Sequence, residues 1–127
     1  MNRAVLEWVR KAEADYRVAL RELGVTVDAS PGAVTFHAQQ CVEKYLKAIL
    51  LEHGLPVPKI HDLLRLWTLA SPCSSHLKRR PGGLGNLSAG AVEYRYPGRR
   101  ATAAAARRAV QTMERTRSLA RRALGLI

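Results

Sequence analysis

Gln40, Glu43, Lys44 and Lys47 stand at positions i, i+3, i+4 and i+7 of one segment. If that segment is helical, the four side chains share one face. Two ammonium groups there offer point charges to phosphate, and the Gln40 amide offers hydrogen bonds to a base or sugar. His61 and Arg95-Tyr96 lie further along the chain. A helical bundle that brought them to this face would complete a nucleotide site. Lys44, Lys47, His61 and Arg95 would form its centre, with Tyr96 and Pro97 at its rim. Arg95 would grip phosphate with a planar fork that lysine lacks. His61 and Glu43, assembled beside Arg95, would be an acid–base pair suited to phosphodiester cleavage. Two structural alternatives stay open. The same groups could be buried links that hold the bundle together, or a solvated face stapled by Glu43 and Lys47.

A second constellation is a row of arginines. Arg108, Arg115 and Arg122 repeat every seven residues, so a helix aligns them on one flank about 21 Å long. Arg100, Arg107 and Gln111 lie beside that flank, and Arg79, Arg80 and Arg99 extend it from the loops. Such a row can follow several phosphates of RNA. It can equally meet an acidic protein or water. Aromatic residues make up 6% of the chain and none lies among these arginines, so base stacking is poorly supported there.

Other chemistries find little footing. His37-x-x-x-Cys41 and Cys73-x-x-His76 are two-ligand halves of a zinc site, but helical geometry puts Cys41 in an apolar arc. No metal or cofactor is therefore expected. There is no Gly-x-Ser-x-Gly turn and no phosphate-cradling glycine loop.

The elements that must position these groups are helical. Val5, Val9, Ala12, Tyr16, Leu20 and Leu23 recur at three- and four-residue steps, which predicts a helix over 3–23 ending at Gly24. Ser30-Pro31 is a cap and first-turn pair that opens a second helix, to about His53. Ala38, Cys41, Val42, Tyr45, Leu46, Ala48 and Ile49 fill its apolar arc. Phe36, Leu50 and Leu51 fall within its polar arc, so that arc is expected to be partly covered, by a subunit partner or by the walls of a site. Phe36 and Leu50 are the expected dimer contacts. A third helix is predicted from about Ile60 to Ala70, with His61 and Asp62 in its first turn. Residues 71–92, rich in Ser, Pro and Gly, read as a loop with a short helix near Leu87–Glu93. The last helix is predicted from about Ala101 to Leu124, burying Ala103, Ala106, Val110, Met113, Ala120 and Leu124. The whole reads as an all-α, antiparallel up-and-down bundle of four to five helices.

Length and charge bound the rest. The chain has 127 residues and a net charge of +11. That length predicts one domain over 1–127. Residues 1–70 carry nine basic and eight acidic side chains, whereas residues 71–127 carry twelve and two. That asymmetry points to a polyanionic partner. No apolar run approaches the ~20 residues of a membrane span. The start of the chain has no apolar signal core, which predicts the cytoplasm. Two cysteines make no disulfide framework.

Phe36-His37-Ala38-Gln39-Gln40 followed by Glu43-Lys44-x-x-Lys47-Ala48 resembles the signature of the HEPN domain family. Trp8, Ala12 and Asp15 resemble the start of that family's first helix. His61-Asp62-Leu63 with Leu66, and Arg95-Tyr96-Pro97, resemble its later motifs in the same order. The resemblance implies a helical bundle that forms a homodimer and associates with a nucleotide or RNA. It also implies partnership with a minimal nucleotidyltransferase, as in toxin–antitoxin pairs. Some members are ribonucleases with an arginine four to six residues before a histidine. None of His37, His53, His61 or His76 has one, so that activity is not carried over. A ribonuclease toxin with another site, or a basic protein-interaction module, are the alternatives.

Overall fold

The computed structural model describes residues 1–126. Each long helix begins where a side chain can satisfy the unpaired N–H groups of a first turn. Asn2 Oδ1 accepts from Val5 N–H at 2.9 Å to start α1, Arg3–Leu23. Ser30 accepts from Ala33 N–H to start α2, Pro31–Glu52, with Pro31 in its first turn. Asp62 accepts from Leu64 and Arg65 N–H to start α3, Leu63–Ala70. Two short 3-10 turns, Ser71–Cys73 and Ser75–Leu77, lead to α4, Leu84–Glu93. Thr102 caps α5, Ala103–Ala123. No strand occurs among the described residues.

The fold is built round α2. Helices α1 and α5 pack along it, α3 and α4 close its remaining sides, and α1 barely meets α5. A helix in the middle must be apolar nearly all round. Accordingly Val34, Ala38, Cys41, Val42, Tyr45, Leu46, Ala48, Ile49 and Leu50 are all buried. They meet Val5, Val9, Ala12 and Ala19 from α1, and Ala106, Ala109, Val110, Met113 and Ala120 from α5. The arc of α2 expected to be covered is covered, and the cover is the chain itself.

That arrangement corrects the reading of Leu50. Its side chain is 1% exposed and sits in the core, so it offers no surface to a second subunit. Helical spacing placed it among polar residues, of which Gln39, Glu43 and Lys47 are buried too. Ala103, expected in the buried stripe of α5, is exposed at the first position of that helix.

Two boundaries also shift. The third helix starts at Leu63, not Ile60. Asp62 stays extended so that its carboxylate can cap the helix, and His61 lies just before it. Residues 84–93 form a regular helix where a loop with a shorter helix was expected. Its glycines weaken the helical signal, yet packing needs them. A Cβ on Gly90 would meet the Tyr94 ring at 3.1 Å and Thr35 of α2 at 3.3 Å, so any larger residue would have to push these neighbours aside. Gly83, just before α4, holds φ +94 against Thr112.

Leu50→Ala should lower stability by about 2–5 kcal/mol through a core cavity. Urea unfolding measures it, and the loss should not vary with protein concentration. A loss seen only at low concentration would return Leu50 to an interface.

Candidate nucleotide-binding groove

The loop before α3, the face of α4 and the first half of α2 enclose a groove of 660 Å³. Phe36, Leu64, Ala89 and Val92 give it apolar walls, and Gln40, His61, Asp62, Ser88 and Arg95 supply polar groups. A concave, largely apolar space with a few convergent polar groups is the usual form of a small-molecule site. The Arg95 guanidinium lies 5.6 Å from the centre of the Phe36 ring. That contact holds a cation over an aromatic face at the groove's edge.

His61 is fixed from behind. Its Nδ1 lies 3.0 Å from Glu43 Oε1, while its side chain stays 75% exposed. Glu43 is buried and holds no proton to give, so His61 Nδ1–H donates, and the other ring nitrogen, Nε2, is left to the open side. Gln39 is the keystone. Its amide donates to Glu43 Oε1 and to the His61 carbonyl, each at 3.0 Å, and its own oxygen accepts from Gln40 at 2.8 Å. Gln39 is 3% exposed. It was not among the expected site residues, although it stands inside the Phe36–Gln40 motif. A buried amide that bridges two elements leaves no mark in helical spacing.

The two lysines go elsewhere. Lys47 donates to Glu43 Oε2 at 3.0 Å, is 5% exposed, and lies 5.9 Å over the Trp8 ring. Lys44 donates to Asp15, which also accepts from His37 Nδ1 at 2.8 Å. Lys44 is thus satisfied by Asp15 of α1, and Lys47 by Glu43 of its own helix beside Trp8, and neither lines the groove. The expectation that Lys44 and Lys47 would meet a ligand beside His61 and Arg95 is corrected on that ground. Of the centre expected from sequence, His61 and Arg95 line the groove, and Gln40 lines it with them. Tyr96 is 64% exposed and stands outside the groove lining. Phe36, expected at a dimer contact, forms the groove wall.

The arginine row is present. Arg108, Arg115 and Arg122 are exposed on α5, and no carboxylate lies within 4.0 Å of any of them among the described residues. None of the three lines the groove. Arg108 lines a smaller cavity on the far side of α4, and Arg115 a shallow hollow with Arg79 and Arg80.

A third network ties the long helices together. Glu13 of α1 accepts both Arg117 N–H groups at 2.7 and 2.8 Å and the Tyr45 hydroxyl. Arg121 donates to Tyr45 at 3.0 Å. Arg117 lies 4.0 Å over the Tyr16 ring, whose hydroxyl donates to Glu114. Cys41 is buried, its thiol pushed well up by desolvation, and His37 is taken by Asp15. No group of three metal-ligating side chains occurs among the described residues.

These networks set the response to acid. The hydrogen bond from Arg117 holds the Glu13 carboxyl below the ordinary 4.5, and outweighs desolvation. Burial pushes Glu43 up, but hydrogen bonds from Gln39, Lys47 and His61 together carry it below 4.5. A carboxyl whose folded value lies below its unfolded one stabilises fully above the unfolded value. That contribution is lost as pH falls through the folded value. Stability should therefore decline below pH 4.5, and Glu13→Gln should flatten part of that decline in urea titrations. Glu43→Ala should cost about 3–5 kcal/mol at neutral pH, since it strands the buried Lys47 charge. Pairing it with Lys47→Met should recover much of the loss.

No helix among the described residues is long and apolar enough to cross a membrane. No curated protein and no solved structure matches the chain. A family model, the HEPN domain, matches residues 5–123. With the groove residues drawn from the same motifs that carry the resemblance, and nearly the whole chain inside the match, this protein belongs to the HEPN domain family.

Proposed function

We propose that this protein binds a nucleotide, free or as one unit of an RNA, in the groove between α2, α3 and α4. The observation that carries the reading is the convergence of Gln40, His61 and Arg95 on one apolar-walled space beside Phe36. The apolar walls suit a base, the Arg95 fork suits its phosphate, and Gln40 and His61 suit the sugar or base edge. Membership of the HEPN family supports the same class of ligand. In this reading the chain works as a cytoplasmic homodimer beside a minimal nucleotidyltransferase, in a toxin–antitoxin type of pair. The exposed row Arg108, Arg115 and Arg122 adds long-range attraction for a polyanion.

A second reading is favoured by one specific contact. The bond from His61 Nδ1 to Glu43 leaves Nε2 free to take a proton from a ribose 2′-hydroxyl, next to the Arg95 guanidinium. Attack of that oxygen on phosphorus would break the P–O5′ bond, with the proton passing through His61 to the leaving oxygen. This is the ribonuclease alternative, with a site built from separate motifs.

Titration calorimetry with AMP and with a short oligouridylate tests the binding reading. Arg95→Ala should weaken both by about tenfold or more, and Arg95→Lys should restore little, because the fork is lost. Unchanged affinity in Arg95→Ala and Gln40→Ala would remove the groove as the site. Incubation of total RNA with wild type, His61→Ala and Arg95→Ala separates the readings. Cleavage by wild type alone favours the enzyme, and no cleavage by any leaves binding.

A further inference from the structure

We infer that the hollow between the 78–81 loop and the second half of α5 docks an acidic protein segment with an aliphatic anchor residue. The hollow has a volume of 560 Å³ and shares no lining residue with the groove. Its floor is Pro81 and Leu119, and its rim carries Arg79, Arg80, Arg115 and Ser118. Leu119 is half-buried and continuous with the core, so the floor is firm.

The rim arginines are uncommitted. No carboxylate lies within 4.0 Å of Arg79, Arg80 or Arg115 among the described residues. The one acidic wall residue, Glu114, is engaged by the Tyr16 hydroxyl at 3.1 Å through both of its oxygens. Glu114 sets one negative charge against three positive ones, so the hollow keeps a net positive charge that attracts an anionic partner.

Charge and shape together choose the occupant. The arginine-rich second half of another copy of this chain would be repelled from the hollow. A phosphodiester backbone would satisfy the rim but has no use for an aliphatic floor, and no aromatic side chain lines the hollow to stack a base. An apolar centre within a polar, arginine-rich rim is the anatomy of a protein interface. Aspartates or glutamates flanking a leucine-type side chain fill both parts.

Fluorescence anisotropy tests this with a labelled peptide of about twelve residues, half of them glutamate, round a central leucine pair. The control peptide has alanine at both leucines. The leucine peptide should bind at least tenfold tighter, as expected for a buried aliphatic anchor. Arg80→Glu and Arg115→Glu, both exposed and unpaired, should weaken both peptides. Leu119→Ala should weaken only the leucine peptide, with thermal melting as the check that the fold persists. Should Leu119→Ala melt, the charge reversals still decide the matter. Equal binding of the two peptides, or no loss in the reversals, overturns the proposal. So does a labelled oligouridylate that loses affinity in Arg80→Glu and is not displaced by the leucine peptide. Arg95→Ala should leave peptide binding intact, so failure of the groove reading and failure of this one are separable.

Discussion

The buried carboxylate of Glu43 is the constraint from which the site follows. A charge inside a protein is tolerated only when it is paired and hydrogen-bonded. Glu43 is met by Gln39, Lys47 and His61, and each of those is thereby assigned a place. Lys47 is drawn into the interior beneath Trp8. Gln39 ties the carbonyl of His61 to α2. His61, held at one ring nitrogen, presents the other to the groove. A polar network of this kind, fully satisfied, specifies one arrangement where an apolar contact would tolerate several.

Two further carboxylates repeat the device along the bundle. Asp15 gathers His37 and Lys44, and Glu13 gathers Arg117 and Tyr45. Each ties separate segments through one acid: Glu43 joins α2 to the loop before α3, Asp15 joins α1 to α2, and Glu13 joins α1 to α2 and α5. The protein is strongly basic, yet its interior basic groups are consumed by this small set of acids. Arg79, Arg80, Arg108, Arg115 and Arg122 of the second half stand exposed, with no carboxylate within 4.0 Å among the described residues. The separation is physical: desolvated cations need partners, and solvated ones do not. It leaves the outer face of α5 and the 78–81 loop as a field of free positive charge, distinct from the groove.

The helices were legible because apolar spacing and cap residues act locally. Asn2, Ser30-Pro31 and Thr102 start helices through contacts within a few residues, so no knowledge of the fold is needed. Helix α4 was harder, since Gly85 and Gly90 argue against a helix until Tyr94 and Thr35 are seen to need the space. The convergence of Gln40, His61 and Arg95 followed from the order of family motifs. The fate of Lys44 and Lys47 did not, because a lysine on a helical face reads the same whether it meets a ligand or a buried acid.

The sequence by itself determined an all-helical chain, the places where most helices begin and end, the family, and the concentration of arginine in the second half. These rest on local propensity, periodicity and composition, which belong to the chain before it folds. Only the tertiary structure decided which charges lie inside, that Leu50 belongs to the core, and that Gln39 anchors the groove. Those outcomes depend on which helix faces meet, and the carboxylates that select among the cations come from partners up to about a hundred residues away, as Glu13 and Arg117 do.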